Sequence, residues 1–176
     1  MQPADRTTVV AVATLLSRYA LIVPFDDLAD AVDEWRERTC VAKPSHGVPP
    51  HVTLLLPCPS DVEGIGHVLE PFPAFDVVFR DVGSFPGALW LAPEPDAVFR
   101  TITGALVEAF PGHLPYGGRY PDVIPHLTVA QGELDAAEAA LRALVPLVSR
   151  SERALLIEQI EPPLWNVAAT FELKAA

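Results

Sequence analysis

Two short segments share a pattern suited to moving protons. "PPHVTLLLP" spans Pro49 to Pro57 and "IPHLTVAQ" spans Ile124 to Gln131; each runs proline, histidine, apolar residue, threonine, apolar residue. In a β-strand, side chains at i and i+2 share a face. His51 and Thr53 would therefore point one way with Val52 and Leu54 opposite, and His126 and Thr128 likewise against Leu127 and Val129. Each strand thereby offers an imidazole and a hydroxyl to one side and apolar groups to a core. An imidazole, with an ordinary pKa of about 6.5, changes charge near neutrality, so two of them can divide the roles of general base and general acid. Hydroxyls beside them can donate to developing negative charge. Pro50 and Pro125, which have no N–H for a ladder, suit the first strand position.

His-x-Thr is expected by chance roughly 0.3 times in a chain of this composition. One copy would be an ordinary hydrogen-bonded histidine beside a good strand former. Two copies in matching contexts are harder to explain so, because a duplicated polar face is costly unless something polar fills the space between.

The surrounding elements repeat as well. Residues 19–25 read as a strand, and Asp26 or Asp27 can cap a helix to about Thr39 with Leu28, Val32 and Trp35 on one face. The loop "VAKPSHGVPP" leads into the first histidine strand; a short helix at 62–69 and strands at 74–82 and 88–92 follow. The second half reads as a helix near 95–110, the loop "PGHLPYGGRYPDVIP", the histidine strand at 126–130 and a helix from 134 to about 148. Strands at 154–160 and 165–173, split by "EPP", close the chain. Helix, loop, histidine strand, helix and strand pair thus occur twice, an internal duplication at low sequence identity. Paired strands interspersed with helices predict an α+β protein with antiparallel sheets and helices on their outer faces. Two such lobes would leave a cleft between them.

Composition sets the frame for these elements. The chain has 176 residues, half of them hydrophobic, enough for one domain with a real core. We expect that domain over residues 19–176, preceded by an N-terminal extension, residues 1–18, with helix-like residues. The run from Val9 to Phe25 is apolar, but Arg18 interrupts it and helix-like residues give way to strand-like "YALIVPF", so neither a signal peptide nor a membrane span is expected. Nineteen prolines are scattered as punctuation between short elements. Cys40 and Cys58 lack metal or redox spacing and read as reduced thiols of a cytoplasmic protein. A net charge of −11 argues against tracking along a nucleic-acid backbone, which needs a clustered basic surface. A phosphate ligand would be small or held by its end.

On its motifs the chain resembles the 2H phosphoesterase superfamily, the two-histidine group that includes bacterial 2′-5′ RNA ligase-like proteins and cyclic nucleotide phosphodiesterases. The resemblance rests on "HVTL" at His51 to Leu54 and "HLTV" at His126 to Val129, with the "WLAP" strand and the "PYGG…PHLTVA" approach, and extends from about Tyr19 to Leu173. It implies a bilobal, pseudo-two-fold α+β fold with both motifs facing a central cleft. It also implies a hydrolase opening a 2′,3′-cyclic phosphate or related 2′-linked phosphodiester at a nucleotide or RNA end, as in RNA processing. His51 and His126 would then transfer protons, with Thr53 and Thr128 holding the phosphate. No cofactor is needed, since a protonated histidine supplies the charge a metal would otherwise provide.

Other residues are secondary candidates. Tyr116 and Arg119, in the loop before the second motif, combine an aromatic platform with a cation able to contact substrate; Lys43 occupies the equivalent loop of the first half. A metal site recruiting His46, His67 and His113 would lack carboxylate or cysteine ligands at recognisable spacing and would leave the repeated threonine unexplained. Trp90 and Trp165 are read as core. The alternative to an enzyme is a module that holds a nucleotide or RNA end in the same cleft without turnover.

Overall fold

Proline and aspartate clusters interrupt short, strongly apolar runs along this chain, and the runs pair into two sheets. The computed structural model describes residues 18–132 and 134–175, so the expected extension at residues 1–18 lies, but for Arg18, outside the described residues. Strand β1 (Tyr19–Pro24) is followed by helix α1 (Ala29–Thr39), β2 (His51–Leu55), α2 (Val62–Leu69), β3 (Phe75–Phe85) and β4 (Ala88–Glu94). Helix α3 (Ala97–Ala109), β5 (Leu127–Gln131), α4 (Asp135–Leu144), β6 (Leu147–Ser151), β7 (Arg153–Glu161) and β8 (Leu164–Glu172) complete the order. The fold is α+β, with two four-stranded antiparallel sheets ordered β2-β1-β7-β8 and β5-β4-β3-β6.

Three local expectations need correction. Asp26 and Asp27 do not cap α1; they lie in a 3₁₀ turn, Asp26–Leu28, and the α-helix begins after Leu28 without a side-chain cap. Their carboxylates instead tie this turn to later strands: Asp27 accepts from the Ser149 hydroxyl at 2.7 Å and Asp26 pairs with Arg153. The second-half helix stops at Leu144, because Pro146 cannot continue a helix and forces Val145 into extended backbone (ψ 147°). Residues Leu147–Ser151 then form an additional strand paired with β3. The duplicated strand pairs are also exchanged: β3 and β4 lie in the sheet of the second motif, and β7 and β8 in the sheet of the first.

Both histidine strands, β2 and β5, are edge strands, and they approach each other. Each open edge is closed from the opposite half. Thr103 on α3 donates its hydroxyl to the Leu54 carbonyl at 2.9 Å, and the Gln131 N–H donates to Thr39 Oγ1 at the end of α1, at 3.2 Å. Such cover removes exposed ladder groups and fixes one strand against the other. One apolar cluster, including Leu21, Val52, Leu54, Phe79, Leu91 and Leu127, runs through both sheets; a smaller one, with Ile22, Val48, Leu155 and Ile157, lies on the other face of the first sheet.

Candidate active site

In both motifs the proline and the histidine act together. His51 Nδ1 lies 2.8 Å from the Pro49 carbonyl and His126 Nδ1 lies 2.6 Å from the Ile124 carbonyl. The acceptor each time belongs to the residue before the proline, whose backbone the proline restricts to extended conformations. A carbonyl only accepts, so Nδ1 bears the hydrogen in both rings, leaving Nε2 as the nitrogen that gains or loses a proton.

Electrostatics reinforce that reading. Burial is the main cause that pushes His51 down to about 4, with Arg36 and His126 adding to the effect and the Pro49 hydrogen bond opposing it. His126 is likewise pushed below its ordinary value, chiefly by burial. His51 senses the charge of His126, so the free pair resists double protonation. An anion between them would reverse the penalty for one.

His51, Thr53 and Thr128 line one cavity of about 280 Å³, floored by Ile22 and Ile157. This is near the lower end of ligand-sized cavities, roughly 300–1,000 Å³. His126 stands two residues before Thr128, immediately ahead of β5, and is half-buried. A larger hollow of about 500 Å³ lies beyond Val48 and Pro49 on the same sheet and is lined by Asp26, Arg153 and Thr170, but holds none of the four motif side chains.

An aromatic wall stands behind His126. Phe85 meets its ring edge-on at 5.0 Å between centroids, and Trp90 lies at 5.9 Å. Trp90 can reach this position because residue 83, its cross-strand partner, is glycine: a Cβ there would sit 2.3 Å from the indole. Trp165, read from sequence as core, packs against the smaller apolar cluster and also lines the cavity, together with Gln131 and Cys40. Strand alternation alone does not reveal this, because it does not say which face of β8 is covered.

Tyr116 is the secondary candidate that reaches the motifs. Its hydroxyl is hydrogen-bonded to Thr53, its N–H donates to the Leu56 carbonyl at 2.6 Å, and burial pushes its phenol above the ordinary value. Its φ of 51° makes it the one non-glycine residue in left-handed backbone among the described residues. Such a conformation persists only where the surroundings impose it, and it is concentrated at functional sites. Arg119 is exposed, with its guanidinium 5.5 Å from the Tyr120 ring centre, and Lys43 sits 3.6 Å from Glu37 Oε1; neither lines the cavity. His46, His67 and His113 are also outside the lining.

Comparison with known proteins adds an independent line. The sequence profile of the 2′-5′ RNA ligase superfamily matches residues 24–160, most of the chain and both motifs. The chain belongs to the 2′-5′ RNA ligase superfamily. That is the kinship expected from "HVTL" and "HLTV", and this superfamily member shares its fold with solved relatives. E. coli LigT complexed with 3′-AMP superposes with a TM-score of 0.59 at 15% identity, covering 89% of this chain and 98% of that one. A structure described as a phosphoesterase gives 0.60 at 16% identity, covering 90% and 99%. The protein TT0787 of Thermus thermophilus gives 0.57 at 20% identity, covering 90% and 98%. LigT has also been crystallised with NADP+ and with ATP. No curated protein matches the chain in sequence. Among the described residues, no helix is long and apolar enough to cross a membrane.

Proposed function

We propose that this superfamily member hydrolyses, or reversibly forms, a 2′,3′-cyclic phosphate or 2′-linked phosphodiester at a nucleotide or RNA end by two-histidine acid–base catalysis. The observation that carries the reading is the matched anchoring of His51 and His126: both rings are held by Nδ1, each has a threonine two residues on, and His51 feels the charge of His126. Superfamily membership supports a phosphoesterase-type enzyme, and the nucleotides bound to LigT support a small nucleotide ligand.

The steps follow from the side chains. One Nε2, neutral, takes a proton from the attacking water. The other, protonated, gives its proton to the oxygen leaving on the far side of phosphorus. The anionic phosphodiester supplies the charge that favours that proton despite the burial of the rings. The Thr53 and Thr128 hydroxyls donate to the non-bridging oxygens, where negative charge is concentrated. The Tyr116 hydroxyl, bonded to Thr53, orients that donor. The mechanism works by positioning and electrostatics, and a ribose hydroxyl attacking the cyclic phosphate in place of water gives ligation, whose reverse is cleavage of the 2′-linked phosphodiester.

Release from a panel of 2′,3′-cyclic nucleotides and 2′-5′ dinucleotides, measured in chelator for wild type, His51→Ala and His126→Ala, tests this. Each single variant should lose on the order of 10²–10⁴-fold in kcat. Nucleotide binding without turnover, equal in all three proteins, would replace the enzyme with a binding module.

A further inference from the structure

Arg36 on α1 is only 1% exposed and is the bulkiest fully buried side chain among the described residues. A charge so placed persists only if paired and hydrogen-bonded. Its guanidinium pairs with Asp33 through Nη1, while Nη2 donates to three carbonyls: Ala42 at 3.1 Å, Val48 at 2.8 Å and Pro49 at 3.0 Å. The last of these is the carbonyl that receives His51 Nδ1–H. One oxygen therefore joins the buried arginine to the imidazole, using both of its lone pairs.

The second motif is built differently. Arg100 on α3 also pairs with aspartates, Asp96 and Asp122, and reaches back to the loop before its histidine. It donates to the Val123 carbonyl at 3.1 Å, one residue short of the Ile124 carbonyl that holds His126, and its side chain is 38% exposed. The pseudo-symmetry of the halves is thus broken at the anchors. Of the two histidines, the first alone has a buried guanidinium on its anchoring carbonyl.

We propose that Arg36 is a positioning residue for His51: by fixing the Pro49 carbonyl it locks the imidazole in the Nδ1–H tautomer and holds Nε2 toward the substrate, a lock that the carbonyl anchoring His126 lacks. This positioning role rests on the acid–base reading of the two histidines. Arg36 does not line the cavity, so it acts through the carbonyl and not on substrate. Its charge also opposes protonation of His51, as does that of His126. The other ionisable groups around this corner are Asp33, Glu37 and Cys40 on and after α1 and Lys43 in the loop; Asp33 is the carboxylate paired with the guanidinium.

Imidazole nitrogen-15 NMR on wild type, Arg36→Lys and Arg36→Gln, alongside kcat and KM, tests the proposal. Wild-type His51 should show the Nδ1–H tautomer. In folded Arg36→Gln the His51 signals should move toward a tautomer mixture while those of His126 stay, with kcat down on the order of 10²-fold and KM nearly unchanged. Arg36→Lys should fall between. An Nε2–H tautomer in wild type, or an unmoved His51 in the folded variants, would overturn the role. Should both variants fail to fold, Asp33→Asn, which loosens the guanidinium without removing it, must shift His51 in the same direction; an unmoved spectrum there overturns it equally. The tautomer is read without substrate, so a wild-type protein that turns over nothing sinks the functional reading separately, leaving the spectra to decide the positioning role.

Discussion

His51 binds a proton less readily in the folded chain than in the unfolded one, and the direction of that difference has a measurable result. Its ordinary pKa is about 6.5, and burial lowers it to about 4 in the fold, with His126 lowered as well. Between those values the unfolded chain takes up protons that the native site refuses. The stability contribution is therefore complete above pH 6.5 and is lost progressively as the pH falls toward 4. Denaturant unfolding of wild type should show stability declining from pH 7 to pH 5, and His51→Gln should flatten part of that decline. A wild-type profile that is level over this interval would mean that the rings are not buried as described. Binding of a phosphate anion should conversely draw protons from solution near pH 6, which calorimetry in buffers of different ionisation enthalpy can register.

At the level of elements, the histidine strands are held by helices from the opposite half. Replacing Thr103 by Val leaves the Leu54 carbonyl without its side-chain donor, at a cost of about 1–3 kcal/mol if that carbonyl stays unpaired. Thr39→Val, which removes the acceptor for the Gln131 N–H, should be similar. Chemical denaturation should find both losses, and kcat should drop although neither hydroxyl belongs to the proposed machinery. Unchanged kcat in a destabilised Thr103→Val protein would show that the strand edge tolerates slack. The strands and helices are largely readable in the sequence because their signals are local: period-two alternation marks the motifs, and the helix at 62–69 has its expected bounds. Strand β6 hides behind a helix-like run whose stop, Pro146, falls inside the expected helix. The burial of Arg36 is not legible, because an arginine three residues after Asp33 reads as a solvated helix face. It depends on residues 42–49 folding back over the side chain, which no local pattern states. The aromatic wall at His126 is equally out of reach, since it depends on the pairing of Gly83 with Trp90 across two strands.

For the whole molecule, charge and cavity point the same way. The chain carries a net −11, and among the described residues no lysine or arginine lines the cavity that holds His51, Thr53 and Thr128. A long RNA would gain nothing from its distal phosphates. We expect kcat/KM for a cyclic mononucleotide and for an oligonucleotide ending in the same group to agree within a few-fold. The slope of log kcat/KM against log salt should be no steeper than about −1, the value for one phosphate contact. A steep slope that grows with length would reveal a basic track elsewhere on the surface.

The exchange of strand pairs between the halves also bears on how the polypeptide could be divided. A cut at the Pro86–Gly87 turn, between β3 and β4, yields one fragment whose third strand has its neighbours on the other piece, and a second fragment whose β7, with β8 on its far side, belongs beside β1. Neither fragment can complete a sheet by itself. Mixed, the two are complementary templates, so regained turnover on co-expression becomes a direct reporter of their reassembly.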